Sequence, residues 1–148
     1  MNITMDQIKK LREETGAGIM DVRKALTESK GDEAKAKELI SKKGLSRAAE
    51  KAERETEAGH VFAYVHFNGK VGALVKLACE TDFVAKTEDF QTLGREIAMQ
   101  IASMKPANVE ELLKQDYLRD PSKTIETLVK AVSGKTGENI RVLEIATM

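Results

Sequence analysis

Two histidines and one cysteine have side chains that could bind a metal or act in catalysis, but their sequence context supports neither role. His60 and His66 fall on the same face of an alternating run, together with Phe62 and Tyr64. A zinc site needs further ligands, and no carboxylate or cysteine stands at ligand spacing nearby. The lone Cys79 has no histidine partner at a recognisable spacing. We therefore expect a half-buried aromatic strand face and a small buried residue at a strand end, with no metal.

Motifs for nucleotide phosphates and for acyl transfer are also missing from the sequence. It contains neither G-x-x-x-x-G-K-[ST] nor a G-x-G-x-x-G turn that follows a strand. The glycines of "TGAG" (15–18) join two predicted helices, which makes a phosphate cradle a poor interpretation. No nucleophile elbow or pair of acids stands out. These observations indicate a binding protein of two modules, which is not an enzyme and needs no cofactor.

The charge balance limits the partners that this chain can attract. The 148 residues include 24 Lys+Arg and 24 Asp+Glu, so the formal net charge is zero. A neutral chain is a poor candidate for bulk electrostatic binding to nucleic acid or to an anionic membrane. One cysteine cannot form an internal disulfide, and no stretch approaches the ~18 apolar residues of a membrane span. We expect a soluble protein of the reducing cytoplasm.

The N-terminal part predicts three short helices in a docking module over 1–44. Thr4 can cap the first helix in a capping box with Gln7, and Gly16 ends it. Ile19, Val22 and Leu26 form the stripe of the second helix. Asp32 can cap the third helix, which we expect to close at Gly44. The Ala-, Lys- and Glu-rich segment 45–59 then predicts a helical linker.

The remaining part, 60–148, predicts an α+β core of order β-β-α-α-β with a small, mostly antiparallel sheet. Two alternating runs flank Asn68–Gly69, which favours a hairpin with a type I′ turn. Thr87 can cap a long amphipathic helix that covers one face of the hairpin. "DPSKTIETLVKAVSG" predicts another helix, and "ENIRVLEIAT" predicts the third strand.

The stretch "CETDFVAK" (79–86) raises a separate question, because an acid and an aromatic side chain follow directly on a predicted strand. Turns usually carry small polar residues. Phe83 could pack under the entry of the following helix as a hydrophobic staple. Alternatively, Asp82 and Phe83 are held out for a partner. The residues alone leave both interpretations open.

Four stretches together resemble the bacterial translation elongation factor Ts family, the guanine nucleotide exchange factors of elongation factor Tu. The resemblance covers nearly the whole chain and rests on "KKLREETGAGIMDVRKAL" (9–26), "GDEAKAKELISKKGLSRAAEKAER" (31–54), "GKVGALVKLACETDFVAKTEDF" (69–90) and "DPSKTIETLVKAVSGKTGENIRV" (120–142). It implies an N-terminal module like a ubiquitin-associated domain, followed by an α+β core. Many family members also carry a second core subdomain and a coiled-coil insertion near 105–119, which this chain lacks.

The resemblance further implies which residues meet elongation factor Tu, in its GDP-bound and nucleotide-free forms. Arg12, Ile19 and Met20 match the positions that dock on its GTPase domain. The tetrapeptide Thr81, Asp82, Phe83 and Val84 matches the motif that inserts between helices of the GTPase near the bound magnesium. The implied outcome is release of GDP, so that GTP can bind, without covalent chemistry.

The sequence alone leaves two alternatives to an exchange factor, an adaptor and an enzyme, and it also suggests how the chain assembles. A peptide-binding or ubiquitin-like adaptor would use the N-terminal module, but it would not need a projecting Asp82–Phe83. An enzyme built on His60 or His66 lacks a second catalytic group. Because longer relatives build the core from two similar subdomains and this chain supplies one, we expect a homodimer. The expected contact is the face His60–Phe62–Tyr64–His66.

Overall fold

The structure is a computed structural model that describes residues 2–148. Three N-terminal helices precede a core of five strands and four further helices. In chain order, the elements are α1 (Met5–Thr15), α2 (Ile19–Glu28), α3 (Glu33–Glu50), β1 (Ala58–Val65), β2 (Gly72–Cys79), α4 (Asp82–Ala85), α5 (Glu88–Met104), α6 (Val109–Lys114), β3 (Asp116–Tyr117), β4 (Asp120–Thr124), α7 (Ile125–Thr136) and β5 (Arg141–Thr147).

The predicted helix starts in the N-terminal part are confirmed. Thr4 and Gln7 form the capping box of α1, and Gly16 ends that helix in the left-handed conformation, at φ 67°. The side chain of Asp32 accepts a hydrogen bond from the backbone N–H of Lys35 and caps α3. The three helices enclose a small apolar core of their own, formed by Ile8, Leu11, Val22, Ala25, Leu26 and Ala36.

The predicted end of α3 at Gly44 is wrong, because the helix continues to Glu50. One glycine in a helix costs only about 1 kcal/mol, and the Ala-rich sequence behind it sustains the helix. Ala48 is buried, and Arg47 bonds back to Asp21 of α2. The segment 45–59 is therefore helical only in its first part, and a turn follows over 51–53. The division into module 1–44, linker 45–59 and core 60–148 stays a prediction.

The predicted α+β core is confirmed, with an antiparallel sheet of strand order β1-β2-β5. Helix α5 covers one face of the sheet, as expected from its apolar stripe. Phe62 of β1 packs on Phe90 of α5, with ring centroids 5.9 Å apart. Gly94 gives the ring of Phe62 its space, because a Cβ on that glycine would lie 2.5 Å from the Phe62 Cγ.

The hairpin between β1 and β2 is confirmed, but its turn is not the type I′ turn that Asn68–Gly69 suggested. A type I′ turn needs positive φ at both central residues. Here Gly69 has a φ of 71°, whereas Asn68 is not in the positive-φ region. The turn instead spans His66–Gly69 and is closed by a 2.8 Å hydrogen bond from the Gly69 N–H to the His66 carbonyl. Phe67 therefore occupies the turn and is 93% exposed.

Helix α5 covers part of the face His60–Phe62–Tyr64–His66, which the sequence suggested as the dimer contact. Phe62 is only 5% exposed because α5 covers it. The Tyr64 hydroxyl lies 2.9 Å from Nδ1 of His66 and forms a hydrogen bond with it. The exposed apolar side chains belong to the opposite face of the sheet. We name this surface the outer sheet face; it comprises Val61, Ala63, Val65, Leu74 and Ala146.

The segment between α5 and α7 contains elements that the sequence did not predict. Helix α6 is followed by a small β3–β4 hairpin, and α7 begins only at Ile125. The buried side chain of Gln100 holds this hairpin: its Nε2 donates to the Asp116 carbonyl, and its Oε1 accepts from the Leu118 N–H. None of the helices in residues 2–148 is long and apolar enough to cross a membrane.

Candidate partner-binding site

The tetrapeptide Thr81–Val84 forms the start of a single helical turn at the end of β2. The Thr81 hydroxyl caps this turn by accepting a 3.4 Å hydrogen bond from the Val84 N–H. Val84 and Ala85 face inward and are buried, whereas Phe83 is 87% exposed. The staple interpretation of Phe83 is therefore wrong. We name residues Thr81–Val84 the TDFV turn.

A glutamate from a distant part of the chain holds the TDFV turn. Oε1 of Glu138 accepts hydrogen bonds from the backbone N–H groups of Glu80 and Thr81, at 3.1 and 3.0 Å. Oε2 accepts from the Thr81 hydroxyl at 2.7 Å. Sequence reasoning missed Glu138, which is separated from Thr81 by 57 positions. We find no signal in the sequence that singles it out, because it stands simply as an acid before β5.

Neighbouring side chains complete the support on the inner side of the turn. The Thr87 hydroxyl donates to the Val84 carbonyl at 2.7 Å, and Nε2 of Gln91 donates to the Ala85 carbonyl at 2.8 Å. The Cys79 thiol donates to the Thr81 carbonyl at 3.1 Å. Burial, followed by the negative charge of Glu138, raises the pKa of the Cys79 thiol. The thiol is therefore a protonated donor at neutral pH, not a nucleophile.

Asp82 is exposed next to Phe83, and its carboxylate takes part in none of the ion pairs among residues 2–148. An exposed carboxylate offers acceptor oxygens to a cation or to N–H donors of another molecule. The turn therefore presents an apolar ring and an acceptor side by side. Such a pair can enter a cleft of another molecule and accept hydrogen bonds there.

The N-terminal candidates lie on either side of the turn that joins α1 to α2. Arg12 is exposed in the last turn of α1, and its carbonyl accepts the capping hydrogen bond from Gly16 at 2.8 Å. Ile19 and Met20 open α2 and are 48% and 73% exposed. Exposed methionine, isoleucine and arginine side chains around one turn suit a protein-contact surface, since Met and Arg are enriched in such surfaces. We name Arg12, Ile19 and Met20 the docking residues.

The two candidate sets are joined through helix α7, not by direct bonds. In the described chain, no hydrogen bond or ion pair links a docking residue to the TDFV turn. The side chain of Lys135 lies against Gly16, where a Cβ would be 2.5 Å from Nζ. The same Nζ pairs with Asp89 of α5 at 3.0 Å. Glu138, three positions beyond Lys135 in the chain, holds the TDFV turn.

Metal binding finds no support among residues 2–148, which contain no group of three or more His, Cys, Asp or Glu arranged for an ion. His60 instead packs on Phe62, with ring centroids 4.7 Å apart. His66 bonds to Tyr64 and lies beside Phe67, at a centroid distance of 4.4 Å.

Comparison with known proteins gives concordant matches. A family model described as "Elongation factor TS" matches residues 80–148. Elongation factor Ts of Fervidobacterium nodosum is 48% identical over an alignment of 147 positions, which covers 91% of this chain and 75% of that protein. Elongation factor Ts of Thermotoga neapolitana is 40% identical over 185 positions, covering 96% of this chain and 94% of that protein.

Elongation factor Ts of Aquifex aeolicus is 45% identical over 147 residues, but these are only 51% of its own length. The relatives therefore differ in size, and this chain resembles the shorter ones. Identities of 40–48% over most of the chain far exceed what a shared fold alone would require. The chain belongs to the elongation factor Ts family of translation elongation factors.

Proposed function

We propose that this chain is a guanine nucleotide exchange factor that binds elongation factor Tu and promotes the release of its GDP. The observation that carries the proposal is Phe83, which is 87% exposed on a turn that is held by hydrogen bonds to Glu138. Burying an aromatic side chain on folding is favourable, so a ring kept in solvent on a fixed turn points to a contact made with another protein.

The physical basis of the proposed exchange is a wedge. Tight GDP binding depends on phosphate contacts and on a magnesium ion that bridges phosphate and protein. An aromatic ring inserted between packed helices moves them by a discrete step, because packed interiors do not deform continuously. Phe83 supplies this ring, and Asp82 offers acceptor oxygens to groups displaced near the metal. The ligands of magnesium and phosphate then lose their geometry.

Coupling between the two ligands of elongation factor Tu must be reciprocal. If the bound chain weakens GDP by a given factor, GDP weakens the bound chain by the same factor. The chain therefore binds the nucleotide-free form most tightly, and GTP binding displaces it. No bond is made or broken in this cycle, and the proposed role is not that of an enzyme in the covalent sense. Its site of action is the cytoplasm, where translation elongation takes place.

The docking residues supply affinity in this proposal. Ile19 and Met20 are exposed apolar side chains at the start of α2, and Arg12 adds an exposed cation at the end of α1. Their contact with the GTPase domain holds the chain on elongation factor Tu while the TDFV turn inserts. An adaptor that used only the N-terminal module would not require the TDFV turn, which favours the exchange factor over the adaptor.

We also propose a homodimer, now through the outer sheet face. Its apolar side chains lie on adjacent strands, since Leu74 of β2 pairs with Ala63 of β1 and with Ala146 of β5. Lys76 and Glu144 are paired across β2 and β5 on the same surface. A two-fold axis that passes between these two residues would bring Lys76 of each copy towards Glu144 of the other, which suits a self-complementary contact.

Release of fluorescent GDP from elongation factor Tu, measured with and without the chain, tests the proposed function. The expected result is a release rate that rises with chain concentration and saturates. A rate equal to spontaneous release at all concentrations would contradict the proposal, and binding of the N-terminal module to peptides would then favour the adaptor.

A further inference from the structure

Glu138 stands on a loop that is itself firmly held. The helix before it ends at Gly137, which is left-handed at φ 79°. The Ser133 hydroxyl donates to the Glu138 carbonyl at 2.6 Å. The neighbouring Asn139 is buried, and its Nδ2 donates to the carbonyls of Ala52 and Arg54, at 3.2 and 2.7 Å. The carboxylate of Glu138 therefore projects from a fixed position.

The TDFV turn needs such an external anchor. A helix of one turn is not stable by itself, because nucleation costs more than its few hydrogen bonds return. The capping bond from Val84 to Thr81 is long, at 3.4 Å. Phe83 contributes no packing, since its ring is in solvent. Besides the burial of Val84 and Ala85 and the bond from the Cys79 thiol to the Thr81 carbonyl, the three hydrogen bonds that Glu138 accepts fix the start of the turn.

We propose that Glu138 is a positioning residue for nucleotide exchange: its carboxylate fixes Glu80 and Thr81, so that Asp82 and Phe83 meet elongation factor Tu in a pre-formed geometry. This inference rests on the proposed function of the TDFV turn. Glu138 itself does not need to touch the partner. Its effect comes from pre-organisation of the turn. A loop that becomes ordered only on binding loses conformational entropy, and this cost weakens the binding free energy.

The chemistry of the side chain explains why a glutamate suits this position. Its two oxygens accept three hydrogen bonds, two from backbone N–H groups and one from a hydroxyl. Hydrogen bonds to an ionised acceptor are stronger than neutral ones. A glutamine keeps one acceptor oxygen for the two N–H groups, whereas an alanine removes all three bonds. Glu138→Gln therefore removes the anchoring hydrogen bonds in part, and Glu138→Ala removes them completely.

The test compares Glu138→Ala and Glu138→Gln in the release of fluorescent GDP from elongation factor Tu, at increasing concentrations of the full chain. Glu126→Ala is the matched control, because Glu126 lies on α7 and its one ion pair within residues 2–148 is with the exposed Lys130, at 3.2 Å. Circular dichroism melts give the folded fraction of each variant. Amide hydrogen exchange at Glu80 and Thr81 reports directly on the anchor.

Glu138→Ala is expected to lower the maximal release rate on the order of tenfold, since small misplacements of a positioned group can cost up to about a hundredfold. The concentration for half-maximal release should change little, because the docking residues are intact. Glu138→Gln should recover most of the rate. The amides of Glu80 and Thr81 should exchange faster in Glu138→Ala than in Glu126→Ala.

A maximal rate of Glu138→Ala equal to that of Glu126→Ala would overturn the inference, and so would a Glu138→Gln rate as low as that of Glu138→Ala. Phe83→Ala, measured in parallel, separates this failure from failure of the proposed function. If Phe83→Ala is slow and Glu138→Ala is not, only the positioning role is wrong. If Phe83→Ala promotes GDP release as fast as the unchanged chain, both the wedge role of Phe83 and the positioning role of Glu138 are wrong.

Discussion

The backbones of Gly44 and Gly134 touch where α3 crosses α7. A Cβ on Gly134 would lie 2.7 Å from the Cα of Gly44, whereas a Cβ on Gly44 would meet nothing within 4 Å. The crossing therefore requires a glycine on α7 but not on α3. Helix α3 belongs to the small N-terminal bundle that carries the docking residues, and α7 leads to Glu138, which holds the TDFV turn. This contact therefore fixes the position of the docking residues relative to the TDFV turn.

The two glycines should consequently respond in opposite directions to alanine. Gly134→Ala forces α3 away and should lower the free energy of unfolding by about 1–3 kcal/mol, as overpacking does. Gly44→Ala gains helix propensity at no steric cost and should raise it by about 0.5–1 kcal/mol. Urea unfolding of the full chain measures both. Equal destabilisation by the two substitutions would show that the helices do not cross at these positions.

Asp21 should make the stability of the N-terminal bundle depend on pH. Hydrogen bonds from Lys43 and then Arg47 hold the pKa of its carboxyl below the usual value of 3.8. A lowered folded-state pKa means that the stabilisation is present above the unfolded-state pKa and is lost as the pH falls through the folded-state value.

Asp21→Asn should therefore lower stability at pH 7 by on the order of 0.5–1 kcal/mol, as expected for a pair with partly exposed cations. The difference from the unchanged chain should shrink when the pH falls below about 4. Urea unfolding of both chains at several pH values measures it. A difference that stays constant down to pH 2 would mean that the carboxylate is not paired.

Met20 tests the docking surface without disturbing the fold. Its side chain is 73% exposed, so Met20→Ala should leave the thermal melt unchanged. It should raise the concentration for half-maximal GDP release while the maximal rate stays the same, because a buried interface anchor contributes about 1–2 kcal/mol or more. Met104→Ala, an exposed methionine at the far end of α5, is the control. Identical titration curves for the two variants would remove Met20 from the docking residues.

The homodimer is tested by sedimentation equilibrium at micromolar concentration. We expect the mass of two chains, and we expect Leu74→Glu to shift the equilibrium towards the monomer, because a charge would enter the outer sheet face at its central strand. A clean monomer for the unchanged chain, with exchange activity strictly first order in chain concentration, would mean that a single copy is sufficient.

The sequence predicted the elements well where local chemistry dictates them. The helix starts could be predicted from Thr4, Asp32 and Thr87, because a capping side chain accepts a hydrogen bond from a backbone N–H only three residues further along the chain. The end of α3 was wrong because Gly44 is a helix breaker only by propensity, and tertiary contacts of Ala48 override it. The β3–β4 hairpin was missed because its strands are too short to show alternation.

The candidate site shows the same limit more sharply. The TDFV turn could be located in the sequence, but exposure of Phe83 depends on the packing of Val84 and Ala85 beneath it. Alternation in β1 indicated two faces but could not decide which one α5 covers, so the aromatic face was expected to be the dimer contact, although α5 packs on its Phe62. Glu138 could not be found at all, because its bonds to Glu80 and Thr81 exist only in the folded chain.

The most direct test of the exchange mechanism is the maximal rate of GDP release from elongation factor Tu by Phe83→Ala, compared with Phe67→Ala. Both rings are exposed, at 87% and 93%, but Phe67 lies in the β1–β2 turn, at the other end of β2. We predict that Phe83→Ala keeps the thermal melt of the unchanged chain and loses most of the catalysed release, while Phe67→Ala keeps both. If Phe83→Ala released GDP as fast as Phe67→Ala, the wedge would be contradicted.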